Sequence, residues 1–280
     1  MVKIVADTTS GILLEEARNL NIGYIPQIIN FGEKSYRDDT ELNNATFLKM
    51  LLASDDLPTT AAPPPALYYP IYQQAQEDNE TVIVICPSAL VSGTVRSATI
   101  AAQDFPEADI RIIDSRSIGG GLASLVLRAH SLAKEGKSAN EIESHITSMA
   151  DREKNYFVVD TLEFLHRGGR IGGAKALFGS VLQIKPILKL ENGQAEPVES
   201  QRTQRKALNR LIELVTEECP YSAESHLCVM HGDSLEKAQE LADLFSRQLN
   251  IPTVRIFDLP PAFLTHTGPG ILGVSFFTKE

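Results

Sequence analysis

Short runs of β-branched apolar residues alternate along the chain with longer segments of helical periodicity. Residues 2–6 and 81–86 are two such runs, and each has the composition of a strand that is buried on both faces. After the second run, apolar residues recur at helical spacing from Val95 onward. Strands that alternate with helices in this way predict an α/β fold in which helices flank a mostly parallel sheet.

The same pattern predicts the other elements of the first half of the chain. We expect strands at 22–31 and 110–113, a polar loop at 32–41, and helices at 12–20, 44–53, 66–78, 120–134 and 139–152. Ser138 and Glu141 have the spacing of a capping box, which marks the start of the last helix. Gly119, Gly120 and Gly121 open the helix before it, and we expect them to allow close packing against a neighbouring element.

A second series of alternating elements follows and predicts a second α/β domain with a mixed sheet. We expect strands at 156–159, 186–190, 195–200, 226–230, 253–257 and 271–277, and helices at 162–167, 174–182, 204–219 and 235–249. Asn192-Gly193 between two of the strands is a strong hairpin signal. The predicted domains are residues 1–153 and 154–280, with a ligand cleft between them.

Polar residues directly follow two of the predicted strands. Residues 7–10 follow the first strand, and Ser92, Gly93 and Thr94 lie between the strand at 81–86 and the next helix. Ligands of open α/β sheets bind outside the carboxyl ends of the strands, and the first turn of a helix offers free N–H groups to an anion. Both segments are therefore candidate anion sites. The alternative is that Ser92 only caps the helix and residues 7–10 only form a turn.

Two further segments are predicted to be constrained loops. Three consecutive prolines at 63–65 cannot continue a helix and should hold Thr59 and Thr60 on a semi-rigid loop. His266 lies between two threonines and before Gly-Pro-Gly, which predicts a second fixed loop. A structural and a functional role for this lone histidine both remain open.

Composition limits the classes of function. The chain has 280 residues, of which 43% are hydrophobic and 22% charged, and these ordinary globular values exclude a disordered chain or a disulfide scaffold. A net charge of -10 argues against nucleic acid as a partner. The three cysteines form no CxxC pair and predict reduced thiols in a cytoplasmic protein. We expect neither secretion nor a membrane span, because the chain shows no leader and no apolar run of ~18 residues.

One segment departs from the acidic balance of the chain. Residues 165–210 contain nine Lys and Arg against three Glu, which predicts a site for an anion or an acidic partner. Glycines between Arg167 and Arg170 favour close approach to an oxyanion. The segment lacks a Walker A ending, Ser92 lacks the Gly-x-Ser-x-Gly context of a hydrolase, and no spacing of ligands predicts a metal.

Taken together, these segments resemble the DegV family of bacterial fatty-acid-binding proteins. The matching motifs, in family order, are Asp7-Thr8-Thr9-Ser10, Thr59-Thr60, Ser88-x-x-x-Ser92-Gly93-Thr94, Asp114-Ser115, the segment from Asp160 to Ile171 with Arg167-Gly168-Gly169-Arg170, and His266-x-Gly268-Pro269-Gly270. Each motif is short, but the set covers nearly the whole chain. One difference is that Thr60-Ala61-Ala62-Pro63-Pro64 stands where the family commonly has Thr-Ser-Gln-Pro-Ser, which removes side-chain donors from this loop.

The resemblance implies a lipid-binding carrier without catalytic residues, cofactor or metal. A long-chain fatty acid would lie between the two domains, with its carboxylate at Thr60, Ser92, Gly93, Thr94 and His266. Arg170 and Arg202 would form a basic mouth that faces a separate fatty acid kinase, which makes acyl phosphate for phospholipid synthesis. The alternative is an enzyme for a small phosphorylated or carboxylated substrate, with Arg170, Arg202 and His266 at its site.

Overall fold

The computed structural model describes residues 1–54, 56–179 and 184–279. Its strands are β1 (Val2–Asp7), β2 (Gly23–Ile25), β3 (Ile28–Phe31), β4 (Lys34–Arg37), β5 (Thr59–Ala61), β6 (Thr81–Cys86), β7 (Ile110–Asp114), β8 (Glu153–Val158), β9 (Lys185–Glu191), β10 (Gln194–Gln201), β11 (Cys228–His231), β12 (Arg255–Asp258) and β13 (Leu272–Phe277). Its α-helices are α1 (Leu14–Asn19), α2 (Asn44–Ala53), α3 (Tyr69–Asp78), α4 (Thr94–Ala102), α5 (Gly120–Lys134), α6 (Ala139–Ala150), α7 (Glu163–Arg167), α8 (Gln204–Glu218), α9 (Leu235–Gln248) and α10 (Pro261–Thr267). Short 3₁₀ helices cover Thr8–Ser10, Pro65–Leu67, Gly172–Leu177 and Ala223–Ser225.

The strands form three sheets and confirm the predicted mixed α/β class. The first sheet is parallel throughout and has the order β2-β1-β6-β7. The second has six strands in the order β10-β9-β8-β13-β11-β12, antiparallel except for the β11–β12 pair. A small antiparallel sheet, β4-β3-β5, is the third. The predicted hairpin at Asn192-Gly193 is confirmed, since it joins β9 to β10.

Helix α5 lies between the two large sheets, and its N-terminal glycines explain how closely it packs. A Cβ atom on Gly120 would lie 2.6 Å from the Cys228 sulfur, and one on Gly121 would lie 1.8 Å from a Glu153 oxygen. Only glycine leaves room for these neighbours. The same buried cluster contains Leu122 and Leu125 of α5, strand β1 and strand β11, so one core connects the two halves of the chain.

The predicted strand at 22–31 is wrong as a single element. Pro26 has no N–H to donate to a ladder, and the chain divides there into β2 of the parallel sheet and β3 of the small sheet. The expected polar loop at 32–41 contains β4, which pairs with β3 around Gly32 at φ 58°. Thr59 and Thr60 belong to β5 rather than to a loop, because Ile29 of β3 pairs with Thr60.

Two later predictions also need correction. The helix expected at 174–182 is a 3₁₀ helix over Gly172–Leu177, and residues 180–182 lie outside the described residues. His266 lies in the last turn of α10 and not on a loop. Pro261 at the first helical position fixes the backbone there, and Gly268 at φ 72° ends the helix. The capping box of Ser138 and Glu141 is confirmed at the start of α6.

Candidate ligand-binding site

Two neighbouring parallel strands end at the same place and hold the polar segments side by side. The chain leaves β1 toward β2 on one side and leaves β6 toward β7 on the other, so the strand order reverses between β1 and β6. A crevice at such a reversal, beyond the carboxyl ends of the strands, is where open α/β sheets bind ligands. Asp7 ends β1, and the loop after β6 brings Ser92 and Gly93 to the same crevice.

Asp7 is the centre of a buried hydrogen-bond network. Its Oδ1 accepts the backbone N–H of Thr9 at 3.0 Å and also the Thr9 hydroxyl, while its Oδ2 accepts Gln27 Nε2 at 2.6 Å and Thr94 Oγ1 at 3.0 Å. Burial raises the pKa of Asp7, and these hydrogen bonds act in the opposite direction. Asp7 is therefore neither a simple turn residue nor a direct ligand group, since its oxygens are already occupied.

Ser92 lies at the crevice and does not cap α4. The N-cap of α4 is Gly93, and no side chain caps that helix. The Ser92 Oγ lies 2.8 Å from Thr94 Oγ1 and 3.3 Å from the Thr94 nitrogen. Ser92 and Gly93 both line the cavity, whereas Thr94 is buried behind them.

Thr60 and His266 form a second polar pair at this cavity, although 206 positions separate them in the sequence. Thr60 Oγ1 lies 2.8 Å from His266 Nε2, and Nδ1 of His266 is buried without a hydrogen-bond partner among the described residues. Burial and the positive charge of Arg170 lower the pKa of His266 to about 4. The imidazole is therefore neutral near pH 7, and the tautomer that donates from Nε2 leaves the Thr60 hydroxyl proton for a ligand.

Arg170 joins the second half of the chain to the Ser92 loop. Its Nε donates to the Val91 carbonyl at 3.0 Å, and a terminal nitrogen donates to the Gly168 carbonyl at 2.8 Å. Burial lowers the pKa of Arg170, which also lines the cavity. Gly168 fits against the imidazole, because a Cβ atom there would lie 2.3 Å from His266 Nδ1.

Arg202 lies apart from the residues that the sequence grouped with it. It follows the end of β10 and is exposed, and it is not among the described residues that line the cavity. An enzyme site composed of Arg170, Arg202 and His266 would need the three side chains at one cavity. Only Arg170 and His266 line this one.

Beyond its polar end the cavity is lined mainly by apolar side chains from both halves of the chain. It encloses about 910 Å³ of space outside the protein atoms, including its opening to solvent. The apolar residues that line it include Ile118, Phe157, Leu165, Met230, Phe263 and Ile271. Ala62 also lines the cavity. It is one of the two alanines that replace side-chain donors common in the family, and its methyl group lies against Gly93. This shape suits a ligand with one polar end and a long apolar body.

Comparison with known proteins decides the family. The family model described as "Uncharacterised protein, DegV family" matches residues 1–279. The chain belongs to the DegV family. A DegV domain-containing protein of Halalkalibacterium halodurans is 34% identical over 280 residues, which cover 100% of this chain and 99% of the relative.

Solved DegV structures share the fold over the whole length of the chain. The crystal structure of DegV from Bacillus subtilis, described as a fatty acid binding protein, is 31% identical with a TM-score of 0.86, and 99% of each chain is covered. A DegV family protein from Thermus thermophilus, whose structure is described by its fatty acid binding, is 28% identical with a TM-score of 0.90 and the same coverage. These descriptions agree with the prediction of a lipid-binding protein.

Sequence reasoning missed several polar residues of the site, among them Asn155, Gln27 and Asp38. Gln27 is buried and reaches both Asp7 and Thr94, while its backbone N–H donates to Asp38 Oδ1 at 2.9 Å. The available signal was a glutamine next to Pro26 within an otherwise apolar segment. Asp38 came from the expected polar loop and gave no such signal.

No helix in the described part of the chain is long and apolar enough to cross a membrane. Within the same residues, no group of three or more His, Cys, Asp or Glu is arranged to hold a metal ion.

Proposed function

We propose that this protein binds a long-chain fatty acid, with the carboxyl head group at Ser92, Gly93, Thr60 and His266. Thr94 supports Ser92 from behind. Residues 1–153 would form the domain that holds the head group, and residues 154–280 the domain that covers the acyl chain. The observation that carries the proposal is the cavity itself, which these hydroxyls and the imidazole line together with a mainly apolar set of side chains.

The energies favour this division between head and tail. Burying ~14 methylenes at about 0.8 kcal/mol each contributes roughly 11 kcal/mol before the costs of binding. A hydrogen bond to a carboxylate contributes only about 1.5–3 kcal/mol. The acyl chain therefore provides most of the affinity, and the polar end fixes the orientation of the acid.

Extraction of the purified protein tests this proposal. Denaturation followed by mass spectrometry should release a long-chain acid in about equimolar amount. A protein that is empty on purification, and that also fails to bind added long-chain acids, would contradict the proposal.

We further propose that the protein presents the bound acid to a separate fatty acid kinase in the cytoplasm. The exposed Arg202, the local excess of basic residues at 165–210 and Arg170 at the cavity support an acidic partner surface. Positive charge near the carboxyl group also suits the charge that develops during phosphoryl transfer. The buried, unpaired thiols of all three cysteines are compatible with a reducing compartment.

Substitution of Arg202 separates binding from transfer. We expect Arg202→Ala to leave the dissociation constant for the acid unchanged and to lower the rate of acyl phosphate formation by at least tenfold with a bacterial fatty acid kinase. Arg18→Ala, exposed in the last turn of α1 and outside this basic segment, is the matched control. If Arg202→Ala lost acid binding as strongly as it lost acyl phosphate formation, Arg202 would belong to the ligand site instead.

A further inference from the structure

The hydrogen bonds around Asp7 leave no free acceptor on its carboxylate. Each oxygen of a carboxylate accepts about two hydrogen bonds. Thr9 supplies two donors to Oδ1, while Gln27 and Thr94 supply one each to Oδ2. The ionised form of Asp7 is thus fully satisfied, and the single proton of the Thr94 hydroxyl is used in this set.

The same count fixes the direction of the contact between Thr94 and Ser92. Thr94 Oγ1 donates to Asp7 and accepts the second N–H of Gln27 at 2.9 Å, so it has one lone pair left. Ser92 Oγ lies 2.8 Å away and must therefore donate its own proton to Thr94. With Asp7 ionised, Ser92 offers the cavity a lone pair and no proton.

A fatty carboxylate also has only lone pairs to offer, and two acceptors repel each other. We propose that binding of the acid takes up one proton, so that the complex carries one proton more than the free carboxylate and ionised Asp7 together, because ionised Asp7, through Thr94, leaves Ser92 no proton to donate. The proton either remains on the acid, which donates to Ser92 Oγ, or sits on Asp7. In the second case Asp7 donates to Thr94, Thr94 to Ser92, and Ser92 to the carboxylate. This inference rests on the proposed function.

Several other titratable groups surround Asp7 and the head-group site. Among the described groups, Asp38 is the one that titrates in the pH range of interest. Burial, together with the negative charge of Asp7, raises its pKa to about 7. The phenols of Tyr24 and Tyr68 and the thiol of Cys86 also face Asp7, and burial raises the pKa of each. These three are protonated at neutral pH and contribute no charge.

On the opposite side of the cavity, His266 is neutral near pH 7 and Arg170 is cationic. Neither changes its charge between about pH 6 and pH 8. Asp38 is thus the one described neighbour that needs a control variant.

Isothermal titration calorimetry of the lipid-stripped protein with dodecanoic acid tests the inference. The complex holds one proton more than the separate partners, so affinity must fall as the pH rises. Burial raises the pKa of Asp7, and at pH values where the free protein holds Asp7 ionised we expect the dissociation constant to increase about tenfold per pH unit, up to about pH 8. Titrations in two buffers of different ionisation enthalpy should give an uptake of about one proton. 1-Dodecanol can donate to Ser92 without titrating, and its affinity should be constant over this range.

Two variants locate the effect. In Asp7→Asn the new amide nitrogen can donate to Thr94 once the Gln27 side-chain amide flips by about 180°. Thr94 can then donate to Ser92, and Ser92 keeps a proton for the carboxylate. Proton uptake should then fall to about zero. Asp38→Asn leaves the bonds between Asp7, Thr94 and Ser92 in place and should keep the pH dependence.

The outcomes separate this inference from the proposed function. Binding of dodecanoic acid with a pH-independent dissociation constant and no proton uptake in the wild-type protein would overturn the inference and leave the lipid-binding function intact. Loss of the pH dependence in Asp38→Asn but not in Asp7→Asn would also overturn it. Failure to bind the acid and the alcohol at every pH would instead contradict the proposed function.

Discussion

The hydroxyl groups of Ser92 and Thr94 have unequal tasks, and of these two only Ser92 can meet a ligand. Thr94 is 1% exposed and is held between Asp7, Gln27 and Ser92. Ser92 has one neighbour in this network and faces the cavity. A substitution at Ser92 should therefore act mainly on binding, whereas one at Thr94 disturbs the buried network as well.

Removal of the Ser92 hydroxyl should weaken acid binding modestly. Ser92→Ala deletes one hydrogen bond to the head group, and at about 1.5 kcal/mol this corresponds to roughly a tenfold higher dissociation constant. The acyl chain keeps the complex intact. Calorimetry with dodecanoic acid measures the change. Thr99→Ala on the exposed side of α4 is the control, because its hydroxyl bonds only within the helix.

His266 should make the free energy of unfolding depend on acid pH. Its folded pKa of about 4 lies below the ordinary value of 6.5, so the unfolded chain binds a proton that the folded protein excludes. Stability that is present above about pH 6.5 is then lost as the pH falls toward 4, by an amount on the order of 2–3 kcal/mol. Urea unfolding of the wild-type protein and His266→Asn across this range measures it.

The comparison with the variant is needed because buried carboxylates act in the opposite direction. Asp7 and Asp38 have raised pKa values and favour the folded state as the pH falls. The difference between wild type and His266→Asn isolates the imidazole. Parallel stability curves for the two proteins between pH 6.5 and 4 would show that His266 protonates freely in the folded state.

Helix α5 depends on the absence of a side chain at its first residue. Gly120→Ala gains about 0.8–1 kcal/mol of helix propensity, but its Cβ atom would lie 2.6 Å from the Cys228 sulfur. Overpacking of this kind typically costs about 1–3 kcal/mol, so we expect a net loss of up to about 2 kcal/mol in the free energy of unfolding.

Cys228→Ala provides the matched test, because it removes the sulfur that the new methyl group meets. The double variant should lose less stability than the sum of the two single changes in urea unfolding. A more stable Gly120→Ala protein would mean that the helix can move away from β11 at little cost.

At the level of elements, sequence periodicity predicted those that bury one continuous surface. Strand β6 and helix α2 have the predicted bounds, and the capping box of Ser138 marks the start of α6. The errors occur where long-range pairing decides the local structure. Thr60 becomes part of a strand only because β3 lies beside it, and β3 separates from β2 only because Pro26 interrupts the ladder.

The site was predictable to a similar degree. Family motifs pointed to Ser92, Thr60, Arg170 and His266, and these side chains line one cavity. The network behind them could not be read from the chain, because burial of Gln27 becomes acceptable only when Asp7 and Thr94 are brought beside it, and Asp38 in turn needs the backbone N–H of Gln27.

The whole molecule should unfold in one step. One apolar cluster contains residues of the parallel sheet, of α5 and of the six-stranded sheet, and the cavity takes side chains from both halves. Neither half can open without exposing the core of the other. We expect a single transition in differential scanning calorimetry, with the calorimetric enthalpy equal to the van't Hoff enthalpy. Two resolved transitions would show that the halves are independent in stability.

The place of β13 in the six-stranded sheet affects how the protein is made. It is the last of the described strands to be synthesised, yet it lies between β8 and β11, and Leu272 pairs with Val158 far upstream. Until it arrives, β8 and β11 each expose an edge that could pair with another chain. Nascent or truncated forms of this protein should therefore depend more on chaperones than the finished one, and the cavity, which Gly273 of β13 helps to line, is complete only once this strand is in place.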